Sequence, residues 1–588
     1  MKIFLVYVRD EDYFRLLPEA RGGTGESPRI RVMAFPPLGI QTLAPILRQD
    51  GHLVRMFDTC HPQMRAEHIA EAAREDRPEV VALSFLSVTA YPALKRLARR
   101  VKSENPEIPI IVGGAFASIN PDRILKDCPF IDHVGVGEGE DLLLDHLGSL
   151  GNPDAVAGLV WRRNGEIVRN PPRALIRDLD RFPYPDRTSL PIDYIESLPL
   201  DVPAVLSLDK FCTMQTSRGC PYTCIYCDIP LLGGGKWRSR SAKHVLGEMQ
   251  QLSGQGYRSI YLTDDHFLLK PNRIADICNG IIDRRLQFRW GCEGRVDSVG
   301  VDQLPLMARA RCDMLAFGVE AGTQKMLDRL RKKQTLAQVE HAVAEAKRNG
   351  IARVHGFFVI GSPGETAGDI RETFRFAARL QIDTFGFNRL AVYRGTPLWQ
   401  EYVDRGILDD DQDWDKSFKC CHIDPDTVPN DEVNRLRRKG YASLLLHRIR
   451  SRPVQTWRLL RTFSRHMAVK DLLVLLSGPF RRKAGSAPDL PARMIEAGLV
   501  EAGPPHPHTS RSPDGRAPLP VSSPVPERRR GGLDLAPAER GEGVEAYEHA
   551  NPESANPHAG AALKARRGRA PVRPPHDRVR VGRRVPRP

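Results

Sequence analysis

Short apolar runs alternate with amphipathic segments through residues 1–150. The runs are rich in Val, Ile and Leu, which is typical of strands buried on both faces of a sheet. They span residues 2–8, 53–58, 80–85 and 108–112. Apolar positions at helical spacing fall between them, near residues 43–51, 68–74 and 90–102. This alternation predicts an α/β fold with a doubly wound, Rossmann-like parallel sheet, whose ligands bind at the carboxyl ends of the strands.

The same alternation resumes after residue 205 with six further apolar runs. They span residues 212–216, 259–263, 288–291, 314–319, 353–360 and 384–390. Repeated strand–helix units predict a partial TIM-type (β/α)6 barrel over residues 206–430, with its working residues at the carboxyl ends of the strands. Residues 151–205 are predicted to form a connector, which contains a hairpin with an Asn-Gly turn at Asn164 and Gly165.

The composition changes twice beyond residue 430. Residues 431–485 mix basic and apolar side chains and predict a basic helical extension, whose helices either cover the barrel or lie on an anionic membrane surface. Residues 486–588 are rich in Pro, Arg, Gly, Ala and Glu, with few large apolar side chains. A disordered tail is expected there, because such a composition cannot form a core.

The net charge of +15 comes from this C-terminal part of the chain. Residues 431–588 contain 31 Lys and Arg against 15 Asp and Glu, so residues 1–430 are close to neutral. No nucleic-acid partner is therefore expected for the predicted core. The chain has 11 cysteines and no pattern of a secretion signal or a membrane span, so a cytoplasmic, reducing location is expected.

Three cysteines lie close together at Cys220, Cys224 and Cys227. Soft thiolates at this density select zinc or an iron–sulfur cluster, and three ligands on a four-iron cubane leave one iron open to another ligand. A structural zinc site would need a fourth ligand, which the sequence does not offer at the usual spacing. A thioredoxin-like pair of Cys224 and Cys227 would leave Cys220 unexplained.

The run 219–227 resembles the signature of the radical S-adenosylmethionine (SAM) superfamily, in which SAM chelates the open iron. The resemblance places Tyr226 beside the adenine. It also extends to residues at later strand ends, although each of these alone is equally typical of a turn or a rim ion pair. By position, the resemblance implies that Asp264 and Asp265 hold the SAM amino group, Arg295 its carboxylate, Glu320 its ribose and Gly361 its adenine. Arg238 and Arg240 are further candidates for anionic groups, whereas Cys212, Cys420 and Cys421 are expected to be inert thiols.

Glycines and hydroxyl residues at the first sheet's predicted strand ends resemble a cobalamin-binding domain over roughly residues 1–150. The candidate contacts are Ser84, Thr89, Gly113, Gly114, Gly137 and Glu138. The Asp-x-His-x-x-Gly motif that supplies a cobalt ligand elsewhere is absent, and His61 is expected to have a surface or loop role. The resemblance therefore implies cobalamin bound with its base detached and with no protein His on cobalt.

Together these features resemble cobalamin-dependent radical SAM enzymes, including the group of the anaerobic magnesium-protoporphyrin IX monomethyl ester cyclase. The resemblance implies a [4Fe-4S] cluster, SAM, cobalamin and an electron donor such as flavodoxin or ferredoxin. Methylation of an unactivated carbon in a small-molecule or lipid-like substrate is the expected reaction. The alternatives are a cyclase or rearrangement enzyme without methyl transfer and, from another class, a non-catalytic cobalamin or iron–sulfur sensor.

Overall fold

A computed structural model describes residues 1–9, 29–32, 35–61, 64–190, 192–196, 210–298, 303–415 and 428–454. The strands in these residues, numbered in chain order, are β1 (Lys2–Tyr7), β2 (Arg29–Val32), β3 (Leu53–Asp58), β4 (Val80–Ser84), β5 (Ile110–Gly113), β6 (His133–Gly135), β7 (Leu159–Arg163), β8 (Glu166–Arg169), β9 (Asp193–Glu196), β10 (Phe211–Met214), β11 (Ser217–Arg218), β12 (Arg238–Ser239), β13 (Ser259–Leu262), β14 (Arg289–Gly294), β15 (Cys312–Glu320), β16 (Arg353–Ile360) and β17 (Thr384–Arg389).

Most helices follow strands, as expected for crossover connections between parallel strands. They are α1 (Leu38–Gln49), α2 (Ala66–Asp76), α3 (Tyr91–Glu104), α4 (Ala115–Ile119), α5 (Pro121–Asp127), α6 (Gly139–Gly148), α7 (Ile229–Gly233), α8 (Ala242–Gly254), α9 (Pro271–Asp283), α10 (Leu304–Arg309), α11 (Gln324–Arg329), α12 (Leu336–Arg348), α13 (Ala367–Arg379), α14 (Pro397–Asp404) and α15 (Asn430–Ser451).

The first sheet has seven strands in the order β3-β1-β4-β5-β6-β7-β8. Its first five strands are parallel, and β7 and β8 add an antiparallel hairpin at the edge. The predicted doubly wound sheet is confirmed. The Asn-Gly hairpin, assigned to the connector from sequence, extends this sheet, and β6 was not predicted because it is short and begins with a polar His133.

The second sheet contains β10, β13, β14, β15, β16 and β17 in sequence order, and every neighbouring pair is parallel. Its apolar core lies between the strands and the helices that follow them. The predicted partial barrel is therefore confirmed. Two short pairings lie outside both sheets, a parallel one between β2 and β9 and an antiparallel one between β11 and β12.

The two sheets share apolar contacts. Phe35, just before α1, stacks on Tyr261 of β13 with ring centroids 5.5 Å apart. Trp414, beyond α14, packs edge-on against Tyr91 of α3 at 5.4 Å and also contacts Phe116 of α4. The first sheet is thus attached to the inner side of the barrel strands and to the chain that leaves the barrel.

Helix α15 lies against the barrel. Val433, Leu436 and Leu444 are buried there, and the hydroxyl of Tyr441 accepts a hydrogen bond of 3.1 Å from the Phe387 N–H. Within the described ranges, no helix combines the length and the apolar character needed to cross a membrane. The predicted tail (486–588), the later part of the basic extension, and Cys420 and Cys421 lie outside the described residues.

Candidate active site

The three-cysteine loop begins at a glycine that no other residue can replace without strain. Gly219 has φ +84°, and a Cβ there would overlap the carbonyl oxygen of Lys236. The Gly219 N–H donates a hydrogen bond of 2.7 Å to the carboxylate of Asp265. The loop is therefore tied at its start to the carboxyl end of β13.

The three thiols of the loop lie close enough to affect one another. Cys224 is buried, Cys220 and Cys227 are half-buried, and none forms a disulfide. Burial, and to a smaller extent Asp228 and the other two thiols, raises the pKa of Cys227 to about 12. Burial also raises the pKa of Cys220, with a contribution from Cys224. Three soft donors in one loop have the chemistry that a cluster with one open iron requires, although the described residues contain no group of three His, Cys, Asp or Glu side chains already close enough to hold a metal ion.

Arg295 lies against this loop. Its Nη1 is 3.9 Å from the Sγ of Cys224, and its guanidinium is 3.7 Å from the centre of the Tyr222 ring. Asp297 accepts two hydrogen bonds from it, at 2.9 and 2.8 Å. The structure thus places a buried cation beside the cysteines, with one carboxylate that orients it.

Glu320 and Tyr226 are brought together at the end of β15. The Tyr226 hydroxyl is hydrogen-bonded to the Glu320 carboxylate, and burial together with that carboxylate raises the pKa of Tyr226. Lys332 donates a hydrogen bond of 2.7 Å to the same carboxylate, and both partners are buried. A Cβ at Gly318 would lie within 3.0 Å of both charged groups, so a glycine there leaves room for the pair.

The two predicted aspartates, Asp264 and Asp265, have different contacts and different roles. The Asp264 carboxylate is buried and accepts hydrogen bonds of 2.6 Å from the Thr216 N–H and the Ser217 hydroxyl. It therefore fixes the segment that leads into the cysteine loop. Asp265 is exposed and holds Gly219, so it is the member of the pair that remains accessible to a ligand.

Gly361 lies in a turn that a buried carboxylate closes. Its φ is +79°, and its N–H donates a hydrogen bond of 2.6 Å to Glu365, which also accepts one from the Ser362 N–H. Burial raises the pKa of Glu365 to about 7. A Cβ at Gly361 would lie 3.7 Å from Val433, so α15 covers this turn.

Two charged residues of the barrel were not selected as site residues from sequence. Lys332 stands in the run Arg331-Lys332-Lys333, which has the pattern of a solvent-exposed basic turn. Glu293 of β14 accepts a hydrogen bond of 2.6 Å from the Tyr261 hydroxyl. Burial, and then the carboxylates of Asp265 and Glu320, raise the pKa of Glu293 to about 7. Glu293 follows the third predicted barrel strand (288–291), and this position was the available signal.

The candidate cobalamin residues lie along one edge of the first sheet. Ser84 and Gly113 pair in register at the ends of β4 and β5. A Cβ at Gly113 or Gly137 would meet no described atom within 4 Å, so this edge is open for a ligand to approach the backbone. Gly114 differs, because a Cβ there would overlap the carbonyl oxygen of Phe85. The Thr89 hydroxyl is hydrogen-bonded to Ser87 at 2.8 Å.

Two predictions for this edge change in the structure. Glu138 was a candidate cobalamin contact, but Arg218 and Arg238 donate to its carboxylate at 2.7 and 2.8 Å. Arg238, a candidate for anionic groups around SAM, directs its Nη1 to Glu138 in this structure. His61 is buried, with 3% of its surface exposed, so a surface role for it is wrong. It lies in the loop after β3, where its N–H donates to the Asp58 carbonyl at 3.0 Å.

Arg240, the other candidate for anionic groups, contacts the protein itself in this structure. Its Nη1 donates a hydrogen bond of 2.9 Å to the Gln215 carbonyl and forms an ion pair of 2.5 Å with the buried Glu248. Cys212 is buried, and burial raises its pKa to about 12. These features give both residues structural roles in the barrel wall.

Comparison with known proteins agrees with the two-part architecture. The B12 binding domain family matches residues 32–146, and the Radical SAM superfamily matches residues 214–377. The chain is 30% identical over 419 residues to the uncharacterized methyltransferase PH0819 of Pyrococcus horikoshii, covering 70% of this chain and 88% of that protein. The chain belongs to the cobalamin-binding radical SAM enzymes.

Other members of this enzyme family are similar over comparable lengths. The anaerobic magnesium-protoporphyrin IX monomethyl ester cyclase of Rubrivivax gelatinosus is 26% identical over 416 residues, covering 68% of this chain and 72% of that protein. The structure of the cobalamin-dependent SAM radical enzyme OxsB with aqua-cobalamin and SAM bound has a TM-score of 0.59 at 19% identity. That match covers 81% of this chain and 75% of OxsB, and it shows a shared fold.

The cofactors of this cobalamin-binding radical SAM enzyme are cobalamin, SAM and a [4Fe-4S] cluster. The donor chemistry fits them: three thiols lie in one loop, and glycines leave the edge of the first sheet open. Around the loop, accessible and buried carboxylates of the chain match the sulfonium and ammonium of SAM. Two buried cations match its carboxylate.

Proposed function

We propose that this enzyme methylates an unactivated carbon of a small-molecule or lipid-like substrate. When bound, the cofactors supply a 5′-deoxyadenosyl radical that removes hydrogen from the carbon and a methyl group carried on cobalamin. The chain's own residues hold these groups in position and exclude water. The methyl acceptor would lie between the open edge of the first sheet and the cysteine loop of the barrel.

One observation carries the proposal: the loop that contains Gly137 and Glu138, at the open edge of the first sheet, contacts the segment that leads into the cysteine loop. Glu138, one residue beyond the open Gly137, forms an ion pair with Arg218, and Arg218 stands two residues before Cys220. A substrate placed at this junction would therefore be within reach of both cofactors. The similarity to a protein named as a methyltransferase supports the same reaction class.

The SAM contacts at the barrel are also part of the proposal. We assign the cluster to Cys220, Cys224 and Cys227 and the SAM amino group to Asp265. Arg295 would meet the SAM carboxylate, while Lys332 and Tyr226 would keep Glu320 oriented toward the ribose. Gly361 would permit close approach of the adenine.

Isotope-labelled SAM tests the reaction. Reduced enzyme with its cofactors would be incubated with SAM labelled in the methyl group and with extracts of lipids, pigments and small molecules from a strain lacking the gene. Methyl transfer predicts a labelled product together with S-adenosylhomocysteine and 5′-deoxyadenosine. Formation of 5′-deoxyadenosine with an altered but unlabelled product would reject methyl transfer.

That second outcome describes the alternative reaction, a cyclisation or rearrangement without methyl transfer. The similarity to the Rubrivivax gelatinosus cyclase is the observation that favours it. Membership in an enzyme family leaves the sensor hypothesis without support. For either reaction we propose a low-potential donor of the flavodoxin or ferredoxin type, which would be tested by replacing a chemical reductant with the purified donor.

A further inference from the structure

Four charged side chains join the first sheet to the barrel beside the cysteine loop. Arg218 donates from Nη1 to Glu138 at 2.7 Å and from Nη2 to Glu140. Arg238 donates from Nη1 to both oxygens of Glu138, at 2.9 and 2.8 Å. We call these residues the Arg218–Glu138 clasp. Both arginines stand opposite each other in the β11–β12 pairing, so they approach the glutamates from one small platform.

The clasp is largely shielded from water. Its side chains are only 6–21% exposed, so salt screens them less than it screens surface pairs. Burial alone would raise the pKa of Glu138, but Arg218 and the Ile176 N–H lower it below its ordinary value. The carboxylate is therefore ionised at neutral pH. The Ile176 carbonyl also accepts a hydrogen bond of 2.6 Å from Arg238, so the connector is joined to the clasp.

On the barrel side, the clasp continues directly into the cluster ligands. Arg218 precedes Gly219, and the positive φ of Gly219 sets the direction in which the chain leaves β11 toward Cys220. On the other side, Glu138 follows Gly137 and immediately precedes α6, which begins at Gly139. Gly137 is itself held by the Ser118 hydroxyl at 3.0 Å. A displacement of either loop would have to break the clasp.

We propose that the Arg218–Glu138 clasp is a positioning device that sets the separation between cobalamin and the iron–sulfur cluster. Neither Arg218 nor Glu138 has to touch the reacting atoms for this role. A methyl group and a substrate radical must meet at one carbon, so a change of about 1 Å in this separation would slow the reaction greatly. The inference rests on the proposed methyl transfer and does not depend on the identity of the methyl acceptor.

The test is a magnetic measurement on the enzyme loaded with Co(II) cobalamin and a reduced cluster, since both centres are paramagnetic. Arg218→Gln and Glu138→Gln each remove one charge of the clasp. Arg169→Gln is the matched control, because it breaks a bidentate pair with Asp122 that is exposed and lies outside the clasp. Cobalamin stoichiometry and iron content are measured for each variant. Hydrogen exchange in residues 219–227 is followed with and without cobalamin.

In the wild type and Arg169→Gln, we expect one defined spin–spin interaction and slower exchange of residues 219–227 when cobalamin binds. In Arg218→Gln and Glu138→Gln, we expect both cofactors to bind, the defined interaction to broaden and the cobalamin-dependent slowing to be lost. Arg218→Lys should recover part of the interaction, because it restores a single charge. An unchanged interaction in both clasp variants, or equal broadening in Arg169→Gln, would overturn the proposal.

Discussion

Glu320 holds a backbone conformation that residues with a side chain rarely adopt, with φ +68°. Such a conformation costs about 1–3 kcal/mol and persists only where its surroundings enforce it. Here the register shift in the β15–β16 pairing, the Lys332 ion pair and the absence of a side chain at Gly318 enforce it. In this conformation the Glu320 carboxylate is hydrogen-bonded to Tyr226, which lies in the cysteine loop.

The sequence allowed part of this arrangement to be predicted. Spacing alone singled out the three cysteines as candidate ligands, since few other sites place soft ligands so densely. It could not identify Lys332, because a lysine between two basic residues has the pattern of a solvated turn. Arg331 and Lys333 both have positive φ, 52° and 53°, and this local fold turns Lys332 inward. Dihedral angles of that kind are not encoded in a charge pattern.

Replacement of any one of Cys220, Cys224 and Cys227 by Ala should remove the iron–sulfur cluster and all SAM cleavage. Two thiolates cannot hold a four-iron cluster with one iron reserved for SAM. Iron content, visible absorbance and release of 5′-deoxyadenosine measure the effect. Cys278→Ala is the control, because that thiol is also buried but lies on α9. A full cluster in one of the three loop variants would contradict the assignment.

Glu293→Gln should stabilise the protein increasingly as pH rises from about 5 to 8. The folded state raises the pKa of Glu293 from 4.5 to about 7, so the folded protein retains a proton that the unfolded chain releases. The wild type therefore loses stability across this window, and the gap between the two proteins should reach about 1–3 kcal/mol.

Denaturant unfolding at several pH values measures that gap. Glu340→Gln, at an exposed carboxyl of α12, is the control for the change of side chain itself. A constant difference for Glu293→Gln would show that the carboxyl is not held in its neutral form.

At the scale of elements, continuous apolar runs predicted the strands of both sheets well. Short pairings were missed for a physical reason: β11 and β12 contain two residues each, so no periodicity can distinguish them from loops. Their importance comes from side chains that reach another part of the molecule, such as Arg218 and Glu138. Contacts between distant segments cannot be derived from local patterns.

Helix α15 illustrates the same limit. Its sequence allowed either packing on the barrel or exposure of an apolar stripe, and in the structure Gly440 lies directly against the ring of Phe374. Gly440→Leu should therefore lower the free energy of unfolding by about 1–3 kcal/mol, because the added side chain overpacks this contact. Gly254→Leu is the control, since a Cβ at that helical position meets no described atom within 4 Å. Thermal unfolding of both variants compares them, and equal behaviour would show that α15 does not pack tightly.

At the scale of the whole molecule, positive charge and several exposed apolar side chains occur together after residue 430. The two predicted domains are close to neutral, whereas residues 431–483 contain 14 Lys and Arg against three acids. Packing of α15 on the barrel uses only part of its apolar surface. Leu446 and Ile449 of α15 remain 55% and 46% exposed next to Arg450, and Val454, just beyond the helix, is 59% exposed. Basic and exposed apolar side chains in one region are typical of contact with an anionic membrane surface.

We propose that this region holds the enzyme on an anionic membrane, which would give it access to a lipid-like substrate. Each cation near such a surface contributes about 1 kcal/mol, so several together with the exposed side chains would bind reversibly. Flotation of the full-length enzyme with vesicles rich in phosphatidylserine should recover it at low salt, and less of it at high salt. The double substitution Leu446→Gln and Ile449→Gln should reduce recovery, whereas Leu53→Gln should not, although Leu53 is 68% exposed. Equal recovery of both variants would restrict α15 to covering the barrel and leave a soluble small molecule as the expected methyl acceptor.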